Sequence, residues 1–354
     1  MTLPRIFVVV TLLLFGAIGF LAINKKKSKN PETTSCSVAT SSAKTNAKAF
    51  EGQPIEIDLK QLAPQAKSMK QEVVVSQPQP LKRLPADSSL PEVDNTHLLF
   101  QKNSPFSFVE TLRYKSRVAW KQGKAAWLVD YAMHYQTPVD FIARSINGRP
   151  EYTVPQISEG QTFNVLKRES DVSFSLVLDL GRCRMWLYAV DPETESATLI
   201  KTYHVGLGRL DQTKTSGSLT PLGTYKIGGR VAVFKPKMMG MHRMKKVELI
   251  RVFGTRWIPF ESEIGNCTEP AKGYGIHGIP WAFNEAKNVL HDDDSSIGGY
   301  ESDGCVRLKT KDMEELYSII STRGAMIQIV RDVQQAQLPP NLKMGEKTTM
   351  AARS

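Results

Sequence analysis

Between Ser173 and Val330 the chain is written in short apolar or alternating stretches broken by glycine, and that pattern excludes most folds. Phe174 to Leu180 and Met185 to Val190 flank Gly181-Arg182, and Leu199 to Val205 follows a polar turn, as hairpins require. Gly206, Gly208, Gly217, Gly223, Gly228 and Gly229 punctuate the next section, which predicts a β-rich body with tight turns and not a doubly wound fold. No GxGxxG opens a helix and no GKS or GKT occurs, so the glycines do not make a nucleotide fingerprint; GLG at Gly206 to Gly208 carries little by itself. One helix is expected late in the chain. Met313, Leu316, Tyr317 and Ile320 share a face, Asp312 and Glu314 stand near its start, and Gly324 stops it before a last strand over Ala325 to Val330.

The amino-terminal side has a different character. Ile6 to Ile23 is a run of eighteen uncharged residues, which as a helix spans about 27 Å, close to the thickness of a hydrocarbon core. It reads as a retained anchor or signal-anchor over residues 1–24, since no small-x-small cleavage site precedes Asn24. Lys25, Lys26, Lys27 and Lys29 follow the run, and by charge alone they would keep the bulk of the chain in the cytoplasm. Residues 25–95, rich in Lys, Ser, Thr, Gln and Pro, are expected to be a disordered linker. Over 96–170 a small helix-and-strand module is expected. Leu128, Tyr131, Ala132 and Tyr135 recur at helical spacing; Thr137 stands as cap of a second helix, with Pro138 and Asp140 in its first turn. Val139, Ile142, Ala143 and Ile146 are its stripe, Asn147-Gly148 its end, and Thr162 to Leu166 a strand. The β-rich body occupies 171–332 and a tail 333–354.

Composition narrows the chemistry. With 41% hydrophobic residues in 354 the chain can fill a core of enzyme size. Lysine plus arginine outnumber acids 46 to 35, a formal charge of +11 that suits an anionic partner such as a membrane surface or an acidic wall polymer. A nucleic-acid partner is not expected, because the basic residues are scattered without an aromatic ladder or a recognition helix. Cys36, Cys183, Cys267 and Cys305 lie far apart and show no zinc-ligand spacing, so neither a disulfide framework nor a metal cofactor is expected.

Two segments concentrate reactive groups: GYGIHGIP at Gly273 to Pro280 and SIGGYESDGCVRL at Ser296 to Leu308. A thiol between Gly304 and Val306 is either an inert core cysteine or a nucleophile. If that stretch is an extended strand, Asp303, Cys305 and Arg307 share one side, an arrangement suited to a cleft wall. A cysteine nucleophile needs a base and a donor for the charge on an attacked carbonyl oxygen. His277, framed by Gly275 and Gly278, is the best placed of six histidines to be the base. A metal site from His277, His291 and Asp292 to Asp294 is a rival, though three adjacent acids more often mark a solvated loop.

These segments resemble a known family. GTRWIPF, GYGIHG, SIGG and SDGCVRL, followed by the acid-containing helix and AMIQIV, look like the catalytic core of the YkuD-family L,D-transpeptidases, which crosslink or trim peptidoglycan. The likeness reaches back through TYHVGLG and the TPLGTYKI stretch, covering roughly Phe174 to Val330. It implies a mainly β fold, a YkuD-like β-sandwich with one short helix in its C-terminal part. It also implies Cys305 as nucleophile, His277 as general base, the Gly278 carbonyl as the group orienting the imidazole, and Gly304 with Cys305 as the oxyanion segment. Ser302, Asp303 and Arg307 flank the nucleophile, and they are expected with Tyr274 and Trp281 to contact substrate. The family usually writes SHGC, so Asp303 replaces a second histidine, and a carboxylate near a thiolate raises its pKa unless cations offset it. The interval from His277 to Cys305 is long, and Trp281 to Asp294 is either a substrate lid or a surface loop. Earlier in the chain, IARSING and EGQTFNVL resemble the later part of a LysM module, a small α+β binder of wall polysaccharide, whose opening YxVxxGD pattern is missing here.

The resemblance implies peptidoglycan stem peptides as substrate, a cysteinyl thioester with the third stem residue, release of D-alanine and transfer to an amine. Glycan strands are an expected partner of the LysM-like part, and a bilayer of residues 6–23. Such donors are assembled outside the cytoplasmic membrane, so the implied location is the cell envelope, with the catalytic part in the periplasm or on the outer side. The alternatives are water as acceptor, giving a carboxypeptidase, and a non-catalytic wall-binding anchor.

Overall fold

A computed structural model describes residues 80–147, 156–191, 196–228 and 231–337. The expected anchor and most of the linker and tail lie outside the described residues. Among the described residues no helix is long and apolar enough to cross a membrane.

The first part of the described chain comprises α1 (Thr96–Phe100), β1 (Val109–Arg113), α2 (Leu128–His134), α3 (Val139–Asn147) and β2 (Thr162–Leu166). Strands β1 and β2 pair antiparallel, Val109 opposite Leu166, and with α2 and α3 they enclose a core of Tyr114, Leu128, Tyr131, Ile142, Phe163 and Val165. Strand β1 has no counterpart in the reading of the sequence. The Thr137 hydroxyl does not cap α3; it accepts a hydrogen bond from Leu166 N–H at 2.9 Å and so ties the helix pair to β2. The opposite side of this unit, with Leu99, Phe106, Phe141 and Leu166, runs into the main core. Arg323 fastens the join by donating to the carbonyl oxygens of Tyr135, Gln136, Lys167 and Ser170.

The body is mainly β, as the glycine-broken alternation requires. It begins with β3 (Ser173–Asp179), β4 (Arg184–Asp191), β5 (Ser196–His204), β6 (Leu207–Gly208), β7 (Gly223–Ile227) and β8 (Ala232–Val233). A hairpin of β9 (Met239–His242) and β10 (Lys245–Glu248) leads into the short α4 (Ile250–Phe253), β11 (Arg256–Gly265) and β12 (Gly275–Gly278). Then come β13 (Trp281–Asn284), β14 (Val289–Asp292), β15 (Tyr300–Ser302), β16 (Val306–Leu308), α5 (Thr310–Ile320) and β17 (Ala325–Val330). The main sheet runs β16-β12-β11-β7-β17-β3-β4-β5, with β8 on β11. Strand β11 serves both ends of this path: Trp257 to Pro259 pair with β12, whereas Phe260 onward pairs with β7 through two bulges. Bulges bend a strand, and here they let one strand pass from one layer of the fold to the other.

The C-terminal strand β17 lies in the middle of the sheet, parallel to β3 and antiparallel to β7. Its Ala325, Ile327 and Ile329 are buried and Met326 is exposed, the period of two that a strand with one core face shows. Helix α5 buries Met313, Leu316, Ile319 and Ile320 against the same core. Strand β4 is buried on both faces. Met185 and Leu187 enter the main core, while Trp186 and Tyr188 form a second cluster with Val177 and Val333. That second face is covered by residues 80–95, which the sequence reading assigned to the linker. Trp186 Nε1 donates to Pro91 O at 2.9 Å, Thr202 N–H to Val93 O at 2.8 Å and Asn95 N–H to Ile200 O at 2.8 Å. Residues 80–95 thus pack on the domain, and Val333, at the start of the expected tail, lies in the same cluster.

Candidate active site

Three glycine-bearing segments converge at one end of the β-sandwich. Strands β12 and β16 run parallel, with Ile276 opposite Val306, His277 opposite Arg307 and Gly278 opposite Leu308. Cys305 immediately precedes β16. Extending the β12–β16 register one residue back sets Cys305 opposite Gly275, two positions from His277.

The expected continuous strand through the nucleophile is absent. Strand β15 ends at Ser302, β16 starts at Val306, and β15 pairs with β6 while β16 pairs with β12. Between them Gly304 adopts φ +115°, a conformation strained for other residues. A Cβ at Gly304 would also stand 2.7 Å from Leu219 O and 2.7 Å from the Tyr274 ring. The turn is stitched by Ser302. Its hydroxyl donates to Cys305 O at 2.6 Å and accepts from Gly304 N–H at 3.1 Å. Ser302 is fully buried, so it shapes the turn and does not present itself to substrate. The same bond engages the Gly304 N–H, which leaves the Cys305 N–H as the member of the expected oxyanion segment with no partner among the described residues.

His277 is 4% exposed. Its Nδ1 lies 2.6 Å from Gly278 O, and its ring is enclosed by Phe253 and Trp257, with centroids at 5.6 and 5.8 Å. An Nδ1–H donating to that carbonyl leaves Nε2 as the proton acceptor. Burial pushes the imidazole pKa down to about 4, with the Arg307 charge adding to it and the hydrogen bond to Gly278 acting against it. Cys305 is half-buried, with Sγ 3.8 Å from Gly273 O. Burial pushes its thiol up to about 11; a backbone hydrogen bond at Gly275 and the Arg307 and Arg243 charges act the other way, while Asp303 adds to the rise. Near neutral pH both groups are therefore uncharged.

The remaining expected residues are distributed as follows. Tyr274 lies against Gly304 at the site. Arg307 lies opposite His277 in β16, with its Nε buried and without a hydrogen-bond partner. Trp281 opens the β13–β14 hairpin and donates from Nε1 to Thr310 Oγ1 at 3.4 Å; the stretch from Trp281 to Asp294 is thus mostly a hairpin and not an irregular loop. Asp303 carries two arginines, Arg209 at 2.7 Å and Arg243 at 2.8 Å, so the charge that replaces the family's second histidine is offset by cations. Among the described residues no three His, Cys, Asp or Glu side chains come together as a metal-holding set.

Several participants were not identified from the sequence. A Cβ at Gly206 would stand 2.5 Å from Ser296 O, and one at Gly208 would stand 2.9 Å from Gly304 Cα. Gly206 and Arg307 also exchange backbone hydrogen bonds at 2.9 and 2.8 Å. The GLG motif is therefore the bed on which the Gly304–Cys305 turn lies, and its two glycines separated by one residue were the available signal. Arg209 and Arg243 carried no such signal, being exposed arginines in a basic chain.

The site thus sets a buried imidazole, held by a neighbouring carbonyl, on the strand next to the segment that carries the half-buried Cys305, in a mainly β fold. Residues 173–329 match the YkuD family, the L,D-transpeptidase catalytic domain, and this part of the chain is a domain of that family. Among solved structures the chain is similar to Bdellovibrio bacteriovorus Bd1075, with 17% identity over 45% of this chain and 48% of that one and a TM-score of 0.30. It is similar to the helical cell shape determining protein Pgp2 from Campylobacter jejuni, with 13% identity over 46% of this chain and 51% of that one and a TM-score of 0.30. For Mycobacterium tuberculosis L,D-transpeptidase 1 the values are 13% identity, 48% of this chain, 70% of that one and a TM-score of 0.24. The chain spans about half the length of the first two of these structures. No match was found among curated proteins.

Proposed function

We propose that the chain is a peptidoglycan L,D-transpeptidase in which Cys305 is the nucleophile and His277 the general base. The observation that carries this reading is the 2.6 Å contact between His277 Nδ1 and Gly278 O, on the strand that pairs with the nucleophile's own. It holds the ring through Nδ1, which in this reading leaves Nε2 to take the Cys305 proton. In the first half-reaction His277 takes the Cys305 proton as sulfur attacks the carbonyl of the third stem residue. The oxyanion forms near the Cys305 N–H and the Arg307 charge. The C–N bond to the terminal D-alanine breaks, its amine takes the proton back from His277, and a thioester remains. In the second half an amine of another stem attacks the thioester and the thiol is regenerated; with water as acceptor the same cycle trims the stem.

The test is incubation of the chain with disaccharide-tetrapeptide, followed by mass spectrometry. Release of D-alanine together with a crosslinked dimer is expected. Release of D-alanine with only a shortened monomer would make water the acceptor, and no release would refute the reading. The βααβ unit of β1, α2, α3 and β2 shares a core with the YkuD domain, and we propose that it braces that domain and presents it to the wall.

A further inference from the structure

Beside the nucleophile turn two guanidinium groups converge on one carboxylate. Arg209 follows β6 and donates its backbone N–H to Ser302 O at 2.9 Å, and its Nη2 lies 2.7 Å from Asp303 Oδ1. Arg243 stands at the two-residue tip of the β9–β10 hairpin, with Arg243 and Met244 at φ 48° and 65°, and its Nη2 lies 2.8 Å from Asp303 Oδ2. Among the described residues Asp303 is the only carboxylate within ion-pair reach of either arginine.

As a stability device this cluster is poor. The arginine side chains are 61% and 65% exposed and Asp303 is 42% exposed, and exposed ion pairs contribute little. Two cations on one anion also leave one positive charge uncompensated, and each guanidinium has further N–H groups to give. A second carboxylate would complete the arrangement, since arginine forks match carboxylate geometry. The cluster is two residues from Cys305, and the Arg243 charge is felt at the sulfur. A donor attacked at the carbonyl of its third residue carries its terminal carboxylate one residue further on, about 3.8 Å in Cα spacing.

We propose that Arg243 and Arg209, splayed on Asp303, bind the terminal carboxylate of the acyl donor's leaving residue. The proposal rests on the L,D-transpeptidase reading for the identity of the donor. Asp303 is a positioning residue in it: it holds two like charges together and so sets the spacing of the subsite. The replacement of the family's histidine by Asp303 is thus the feature that gives this chain a doubly cationic grip on a peptide ending in a free acid. A donor extended or amidated at that end loses the grip.

The test uses the full chain carrying Cys305→Ala, so that binding is measured apart from turnover. Two tetrapeptide stems that differ only in a terminal D-alanine or D-alaninamide are titrated by calorimetry. The acid is expected to bind about 10–100-fold more tightly than the amide, the range for a charge-assisted hydrogen-bond pair. Adding Arg243→Gln should bring the ratio to about 1, Arg243→Lys should restore part of it, and Asp303→Asn should reduce it with the arginines still present. Equal affinity for the two peptides, or a preference that survives Arg243→Gln, would overturn the proposal. Turnover of the acid donor by the unmodified chain is measured alongside. A chain that binds the acid selectively but never releases D-alanine would sink the enzymatic reading and leave the carboxylate subsite standing.

Discussion

Lys201 and His277 are buried ionisable groups of the same β-rich domain, Cys305 is half-buried beside the strand of His277, and the lysine is treated in the opposite way to the other two. Lys201, 8% exposed, lies 2.7 Å from Glu315, 3.0 Å from Asp312 and 3.2 Å from Asp94. Burial works against its charge, but the Glu315 and Asp312 carboxylates outweigh that and hold its pKa above the ordinary value. Glu315 is itself satisfied by Thr96 Oγ1 at 3.1 Å. At Cys305 and His277 no such compensation is built, and both groups are driven to their neutral forms. A buried charge surrounded by opposite charges locks structure. Groups held neutral against their ordinary pKa values are a mark of functional sites, and the proposed mechanism uses both of them.

Breaking each side separately sharpens this contrast. Lys201→Met leaves the buried Glu315 and the half-buried Asp312 without their cation and should cost about 3–5 kcal/mol of unfolding free energy, read from a shift of the denaturation midpoint. His277→Gln should leave that midpoint nearly in place and lower kcat about 10²–10⁴-fold, read from D-alanine release. For the intact chain, the acid limb of kcat/KM should fall near pH 4 and not near 6.5, because a base whose pKa is pushed down to about 4 is already neutral above it.

A smaller effect belongs to the join between α3 and α5. Burial raises the Glu314 carboxyl to about 8, with Arg144 acting against the rise. A folded-state pKa above the unfolded one means the folded form binds the proton more tightly. Its contribution is present below about pH 4.5 and is lost as pH rises toward 8, an effect on the order of a few kcal/mol. Glu314→Gln should flatten the fall of stability across that window, measured by denaturant titration at several pH values.

Much of the fold was legible because it is written in local periods. The hairpins over β3, β4 and β5, the helix α5 and the strand β17 all fall where alternation and spacing put them. The GIHG and SDGC motifs stood out in the sequence because glycines crowd around single nucleophilic or basic groups. What could not be read depends on pairing between distant segments. The parallel partnerships of β12 with β16 and β6 with β15 have no local signal, and neither does the split of the nucleophile strand at Gly304. Residues 80–95 look like linker by composition, but they pack on the face of β4 that carries Trp186 and Tyr188. The β9–β10 hairpin, with Met239, Met241 and Met244 exposed, lacks the apolar alternation that marks a core strand. Its arginine at the tip became meaningful only once Asp303 was placed beside it.

Intact-protein and peptide mass spectrometry after exposure to a carbapenem-type acylating agent tests the central assignment most directly, because Cys183, Cys267 and Cys305 are all free thiols. The account predicts one adduct, on the peptide containing Cys305, formed far more slowly in His277→Gln and absent in Cys305→Ala. An adduct on Cys183 or Cys267 in its place, or labelling of Cys305 at an unchanged rate without His277, would contradict it.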